Sequence, residues 1–323
     1  MNRIVQGLLA IALALGAGMA LAQAPYPSRN ITLLVPFPPG GSTDAVARIM
    51  AERMRNTLGQ TVVVENVGGA GGSIAVNRLA RSAPDGYTID IGQWDTHVAN
   101  AVVFPGTVDL QKDFEPIGLL SINPQLLLGR KGLPADDLKG LIAWMKANPG
   151  KATLADQNAA ARTSGVLLQQ LTGTSLLMVP YKGAGPAMQD ILGGNIDLLV
   201  VQAAAALPQV RAGTIKVYAN MSPARSDAVP TIPTSDEAGV KGLYISGWFG
   251  LFAPKGTPKD AIAKLNAAMT TALADPGTKA RFAELGLDMA TKEQQTPEGL
   301  AAFHKAEMDK WVPIIKAAGI KPE

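Results

Sequence analysis

The chain is 323 residues long, 47% hydrophobic and 17% charged, a balance that builds a folded core and excludes a disordered chain. It has no cysteine and only two histidines, which excludes disulfides, thiolate metal sites, iron–sulfur clusters and cysteine nucleophiles, and argues against a multi-histidine metal centre. Its net charge of +3, from 29 basic and 26 acidic residues with no basic run, excludes an electrostatic binder of nucleic acid.

Residues 1–22 read as an export signal: Arg3 gives a positive start, Leu8–Leu15 is unbroken apolar sequence, and Ala20-Leu21-Ala22 fits a cleavage site before Gln23. Strands then alternate with helices. Ile31–Val35 is a short continuous apolar run, as in a buried parallel strand. Val46, Ile49, Met50, Met54 and Leu58 recur at helical spacing, and Gly59 stops that helix. Thr61–Val64 is a second strand, Gly68–Gly72 turns into a helix carrying Ile74 and Leu79, and Tyr87–Ile91 is a third strand. Gln125–Leu128, Ala152–Ala155, Leu176–Val179, Ile196–Val201, Ile215–Tyr218 and the longer Tyr244–Phe252 are the strands that follow. Helices are expected around Leu138–Met145, Ser164–Leu171, Pro186–Leu192, Pro258–Leu273 and Pro297–Ala318. This alternation predicts an α/β fold of mostly parallel sheets flanked by helices. The length suggests two domains, at roughly 100–200 residues each. No linker separates them, which fits a chain that leaves the first domain and returns.

Catalytic motifs are missing. There is no G-x-S-x-G elbow, no G-x-x-x-x-G-K-[ST] loop, and the glycines at 68–72 lack the spacing of a dinucleotide fingerprint, since Ile74 stands where glycine is required. His97 and His304 are far apart in sequence, and His304, beside Lys305 and Glu307, reads as a solvated helix residue. No catalytic residue, metal or cofactor is expected.

Four strand-to-helix loops carry binding chemistry instead. Pro36 to Asp44 holds Phe37, Gly40, Gly41, Ser42, Thr43 and Asp44. Its glycines let backbone approach a ligand, and the following helix start offers free N–H groups to an anion; Ser42 or Thr43 as an ordinary N-cap is the alternative. Asn158 to Ser164 offers the hydroxyls of Thr163 and Ser164 and the charge of Arg162, against an alternative of plain capping with a solvated arginine. Pro180–Pro186 presents Tyr181 and Gly183; Gly92–His97 presents Gln93, Thr96 and His97; Gln202 follows another strand. Ligands of open α/β sheets bind outside the carboxyl ends of strands, so these loops are expected to face one cleft.

Several stretches taken together resemble the Bug-type extracytoplasmic solute receptors of tripartite tricarboxylate transporters: VPFPPGGSTDAVAR (35–48), VVVENVGGAGGSIA (62–75), DGYTI (85–89), KDFEPIGLL (112–120), VPYKGAGPAMQDILGGNIDLL (179–199), VPTIPTSDEAG (229–239) and WFGLFAPKGTP (248–258). The resemblance implies a two-domain periplasmic-binding-protein fold, type II-like. Domain 1 would be residues 25–123 plus 246–323 and domain 2 residues 124–245, with crossings near 122–125 and 243–247. It also implies a periplasmic receptor, monomeric and without catalysis, that captures a small organic anion (a mono- or dicarboxylate, aromatic ones included) and delivers it to membrane transporter subunits. A sensor or signalling partner on the same fold is the alternative, and a hydrolase the weakest one. Phe37, Gly40, Gly41, Thr43, Asp44, Tyr181 and Gly183 match the family pattern. The departure is at 155–164, where alanines and Arg162 replace a glycine- and serine-rich run, and at Gln93 and Trp94, where small residues are usual.

Overall fold

The computed structural model describes residues 25–104, 108–227 and 229–317. The export signal expected at residues 1–22 lies outside the described residues.

The first strands are β1 (Ile31–Val35), β2 (Val62–Asn66) and β3 (Thr88–Gln93), parallel with β1 in the middle. Between them run α1 (Ser42–Leu58) and α2 (Ser73–Ala80). Helix α1 buries the stripe Val46, Ala47, Met50, Met54 and Leu58 on this sheet, and Gly59 ends it in the left-handed conformation that glycine adopts without a Cβ clash. A π-helical turn, Asp95–Ala99, runs into the short α3 (Asn100–Val103).

The next strand departs from expectation. Gln125–Leu128 is only the second half of β4 (Phe114–Arg130), which is 17 residues long and contains Pro116 and Pro124. Its first part, through Pro124, pairs with β9 (Ser246–Pro254), which in turn pairs with β3. From Gln125 onward, β4 pairs with β7 (Leu198–Gln202) and β8 (Ile215–Asn220). The parallel strands β5 (Ala152–Asp156) and β6 (Leu176–Pro180) extend that second group beyond β7. Pairing is therefore continuous from β2 to β6 through β4, where a sheet in each of two domains was expected. The reason is length: 17 extended residues reach about 56 Å, enough to serve both groups. The change of partners falls at Pro124/Gln125, and the chain returns to the first group at Ser246.

Helices flank the second group: α4 (Leu138–Ala147), α5 (Ala159–Thr172), α6 (Ala184–Gly193) and α7 (Ala203–Arg211). The chain closes with α8 (Lys259–Ala274), α9 (Pro276–Glu284), the short β10 (Asp288–Met289) and α10 (Pro297–Ala317). One buried apolar cluster runs from Trp94, Trp248 and Trp311 through Leu127 to Leu154 and Leu198, so the two strand groups share a core beneath the facing loops.

Candidate functional site

The first loop is built around an internal anion. Asp44, on the first turn of α1, accepts from the Gly40 N–H at 2.9 Å, from Arg48 Nε at 3.0 Å and from Asn66 Nδ2 at 3.0 Å. These bonds, that to Arg48 first, hold its carboxyl down to about 2. Thr43 donates its hydroxyl to Gln93 Oε1 at 2.8 Å, which ties the loop to the end of β3. The N-cap is Gly41, and no side chain caps it. The exposed helix start at Ser42 therefore keeps open amides, as an anion cradle requires.

The second loop is closed. Helix α5 begins at Ala159, one turn earlier than expected, because the alanines at 159–161 are strong helix formers and Asn158 caps them by accepting from the Ala161 N–H at 2.8 Å. Thr163 and Ser164 consequently lie inside the helix. Their hydroxyls donate back to the Ala159 and Ala160 carbonyls at 2.7 Å each, and both residues are buried. Neither hydroxyl lines the cleft described below. Arg162 places Nε 2.7 Å and Nη2 2.6 Å from Asp156 Oδ2, so its charge is answered within the protein.

Between these loops lie two cavities, of about 210 and about 250 Å³. Phe37, Gly71, Asn100, Phe104 and Arg162 line the smaller; Trp94, Gln125, Gln157, Gln202 and Ser246 line the larger. Asp95 and Asn158 line both, so the two are halves of one cleft between the strand groups. Burial raises the Asp95 carboxyl to about 6, and its one side-chain hydrogen bond comes from Gln93 Nε2 at 3.2 Å.

Phe37, Asn158, Arg162 and Gln202 thus line the cleft, while Gly40, Gly41, Ser42, Thr43, Asp44 and Gln93 form the loop network beside it. Thr96 and His97 do not belong to it. The turn after β3 winds immediately, so Asp95 faces the cleft while its two successors turn inward. Thr96 bonds the Gln93 carbonyl at 3.2 Å, and His97 stacks on Phe252 with ring centroids 4.3 Å apart, both fully buried. His304 is likewise not a solvated residue: it is buried, and its Nε2–H donates to the His97 carbonyl at 2.7 Å. Burial lowers both imidazole pKa values and raises that of Asp90, whose carboxylate lies 3.8 Å from His97, so burial favours the neutral form of each. Among the described residues no group of three or more His, Cys, Asp or Glu could hold a metal. Tyr181 donates its hydroxyl to Asp190 at 2.7 Å and lines neither cavity; Gly183 caps α6 with φ 123°, and Ala184 reaches the larger cavity instead.

Sequence reasoning did not assign Gly71, Asp95, Asn100, Phe104, Gln125, Gln157 and Ser246 to the site. Gln125 and Ser246 had a readable signal, since both stand within the expected crossings.

Residues 46–320 match the family described as "Tripartite tricarboxylate transporter family receptor". The chain is similar to the periplasmic binding protein BugD, at 40% identity and a TM-score of 0.73, covering 92% of this chain and all of that one. It is similar to MatC from Rhodopseudomonas palustris with bound malate, at 37% identity and a TM-score of 0.72, covering 90% and 100% of the two chains. A further R. palustris protein, solved with adipate, is 31% identical with a TM-score of 0.76, covering 92% and 100%.

Proposed function

Because the chain belongs to the tripartite tricarboxylate transporter receptors, a family of solute-binding transport proteins and not of enzymes, we propose that its cleft captures a small organic carboxylate and delivers it to a membrane transporter. The observation that carries this reading is the uncapped start of α1 beside a cleft shared by two strand groups. Helix-start amides suit a carboxylate, and a charge-assisted hydrogen bond contributes roughly 1.5–3 kcal/mol. Relatives solved with malate and with adipate support the same class. In this reading residues 25–123 with 246–323 form one lobe and 124–245 the other, the strand segments at 124–125 and 245–246 act as hinges, and the protein works as a periplasmic monomer after removal of residues 1–22. Mass spectrometry of the protein purified under native conditions tests it. A small carboxylate carried at one per chain is expected; a bound molecule with no anionic group overturns the reading.

A further inference from the structure

The charges that line the cleft do not balance. Among the described residues, the ionisable side chains lining its two cavities are Asp95 and Arg162. Arg162 is already matched by Asp156 at 2.6 Å. Among the described residues Asp95 is not matched by any cation: Gln93 gives it one side-chain hydrogen bond at 3.2 Å, and no ion pair is formed there. The charge remaining in the cleft is therefore negative, the wrong sign for a ligand that is only an anion. A second observation agrees. Gln157, which lines the larger cavity and is 5% exposed, donates its amide to the Val200 carbonyl and leaves Oε1 with no hydrogen-bond partner. Buried acceptors without partners are costly, and a ligand that supplies donors removes the cost. The glutamines 125 and 202 and Ser246 in the same cavity carry no charge and cannot offset Asp95.

We propose that Asp95 makes this receptor selective for a zwitterion, a carboxylate that also bears a protonated amine, with the carboxylate at the start of α1 and the ammonium against Asp95 and Gln157. The proposal rests on the carboxylate reading above and narrows it. An ammonium beside Asp95 favours its ionised form, which burial otherwise disfavours, raising the carboxyl to about 6 in the empty cleft. A hydroxyl would give one donor and no charge, and a plain dicarboxylate would give neither.

Titration calorimetry at pH 7.5 on three matched pairs tests this: succinate and aspartate, glutarate and glutamate, adipate and 2-aminoadipate. The wild-type protein should bind the amino member of at least one pair about tenfold tighter or more, the scale of a single charge-assisted contact. Asp95→Asn should reduce that preference to within about twofold, largely through loss of affinity for the amino member. Should the variant fold poorly, the wild-type comparison and the co-purified ligand decide alone. Dicarboxylates that bind as tightly as their amino partners in all three pairs, or a co-purified carboxylate without an amine, overturn the zwitterion proposal while the carboxylate reading stands. A co-purified ligand without any carboxylate overturns both.

Discussion

The loops that lead into α1 and α5 have the same plan, a strand end, a small-residue run and a helix start, yet they finish in opposite states. At α1 the cap is a glycine with no side chain, so the helix start remains open, and the nearby acid, Asp44, binds down the loop and Arg48. At α5 the cap is Asn158, whose side chain fills the helix start, while two hydroxyls bond their own helix and the arginine bonds Asp156. Where a loop's polar groups are satisfied internally it becomes wall, and where they are left open it can offer them to a ligand. The wall nevertheless defines the cleft, since it leaves the opposing Asp95 as the one charge without an ionic partner among the residues lining the two cavities.

The contrast can be broken most forcefully at Gly41. Its φ of −82° suits any residue, and a Cβ there meets nothing within 4 Å. Gly41→Asp should therefore fold normally while its own carboxylate occupies the open amides. Affinity for a carboxylate is expected to fall about 10- to 150-fold, the loss of one charge-assisted contact. Calorimetry checks this beside a thermal melt that should not drop; unchanged affinity would mean that α1 does not hold the anion.

Arg162→Ala tests the closed loop. It leaves the buried Asp156, whose Oδ1 already lacks a partner, with an unanswered charge, and should destabilise the protein by about 1–3 kcal/mol. Ligand affinity should change by less than about threefold, because that guanidinium serves Asp156. Pairing Asp156→Asn with Arg162→Gln should recover most of the lost melting temperature. A large loss of affinity with unchanged stability would instead make Arg162 a ligand group and erase the contrast.

Asp44 adds a pH signature to the first loop. Its folded pKa of about 2 lies below the ordinary 3.8, so its stabilisation is present above pH 4 and lost as the pH falls toward 2. Asp44→Asn should melt below wild type at pH 6, and the two melting curves should converge as the pH approaches 2. Curves that stay parallel across that window would show that the carboxylate is not what holds the loop.

The smallest effect is expected at Tyr181→Phe. The hydroxyl faces Asp190, so affinity should remain within about twofold of wild type. A larger loss would place this tyrosine in the cleft.

Much of this was legible in the sequence. β1 has the limits its apolar run predicts, and α1 carries its apolar stripe to the glycine that ends it. Phe37, Asn158, Arg162 and Gln202, read as candidates because they stand at or shortly after the ends of expected strands, line the cleft. The start of α5 was misjudged by a turn, since capping by Asn158 and three alanines outweighed the expectation of a flexible run. Thr96 and His97 were misplaced because a turn that winds at once after β3 sends neighbours in sequence to opposite sides.

Sequence alone determined the alternation of strands and helices, their glycine stops and the loops that carry polar groups. Those follow from the spacing of apolar residues and from backbone sterics, which act over a few residues. Only the tertiary structure decided which polar groups are left free. It paired β4 with both strand groups and joined His304 to a carbonyl 207 residues away. It also set Arg162 on Asp156 while leaving Asp95, among the described residues, without a cation. Hydrogen-bond partners are chosen by proximity in space, and a residue's chemistry does not reveal whether another group has already satisfied it.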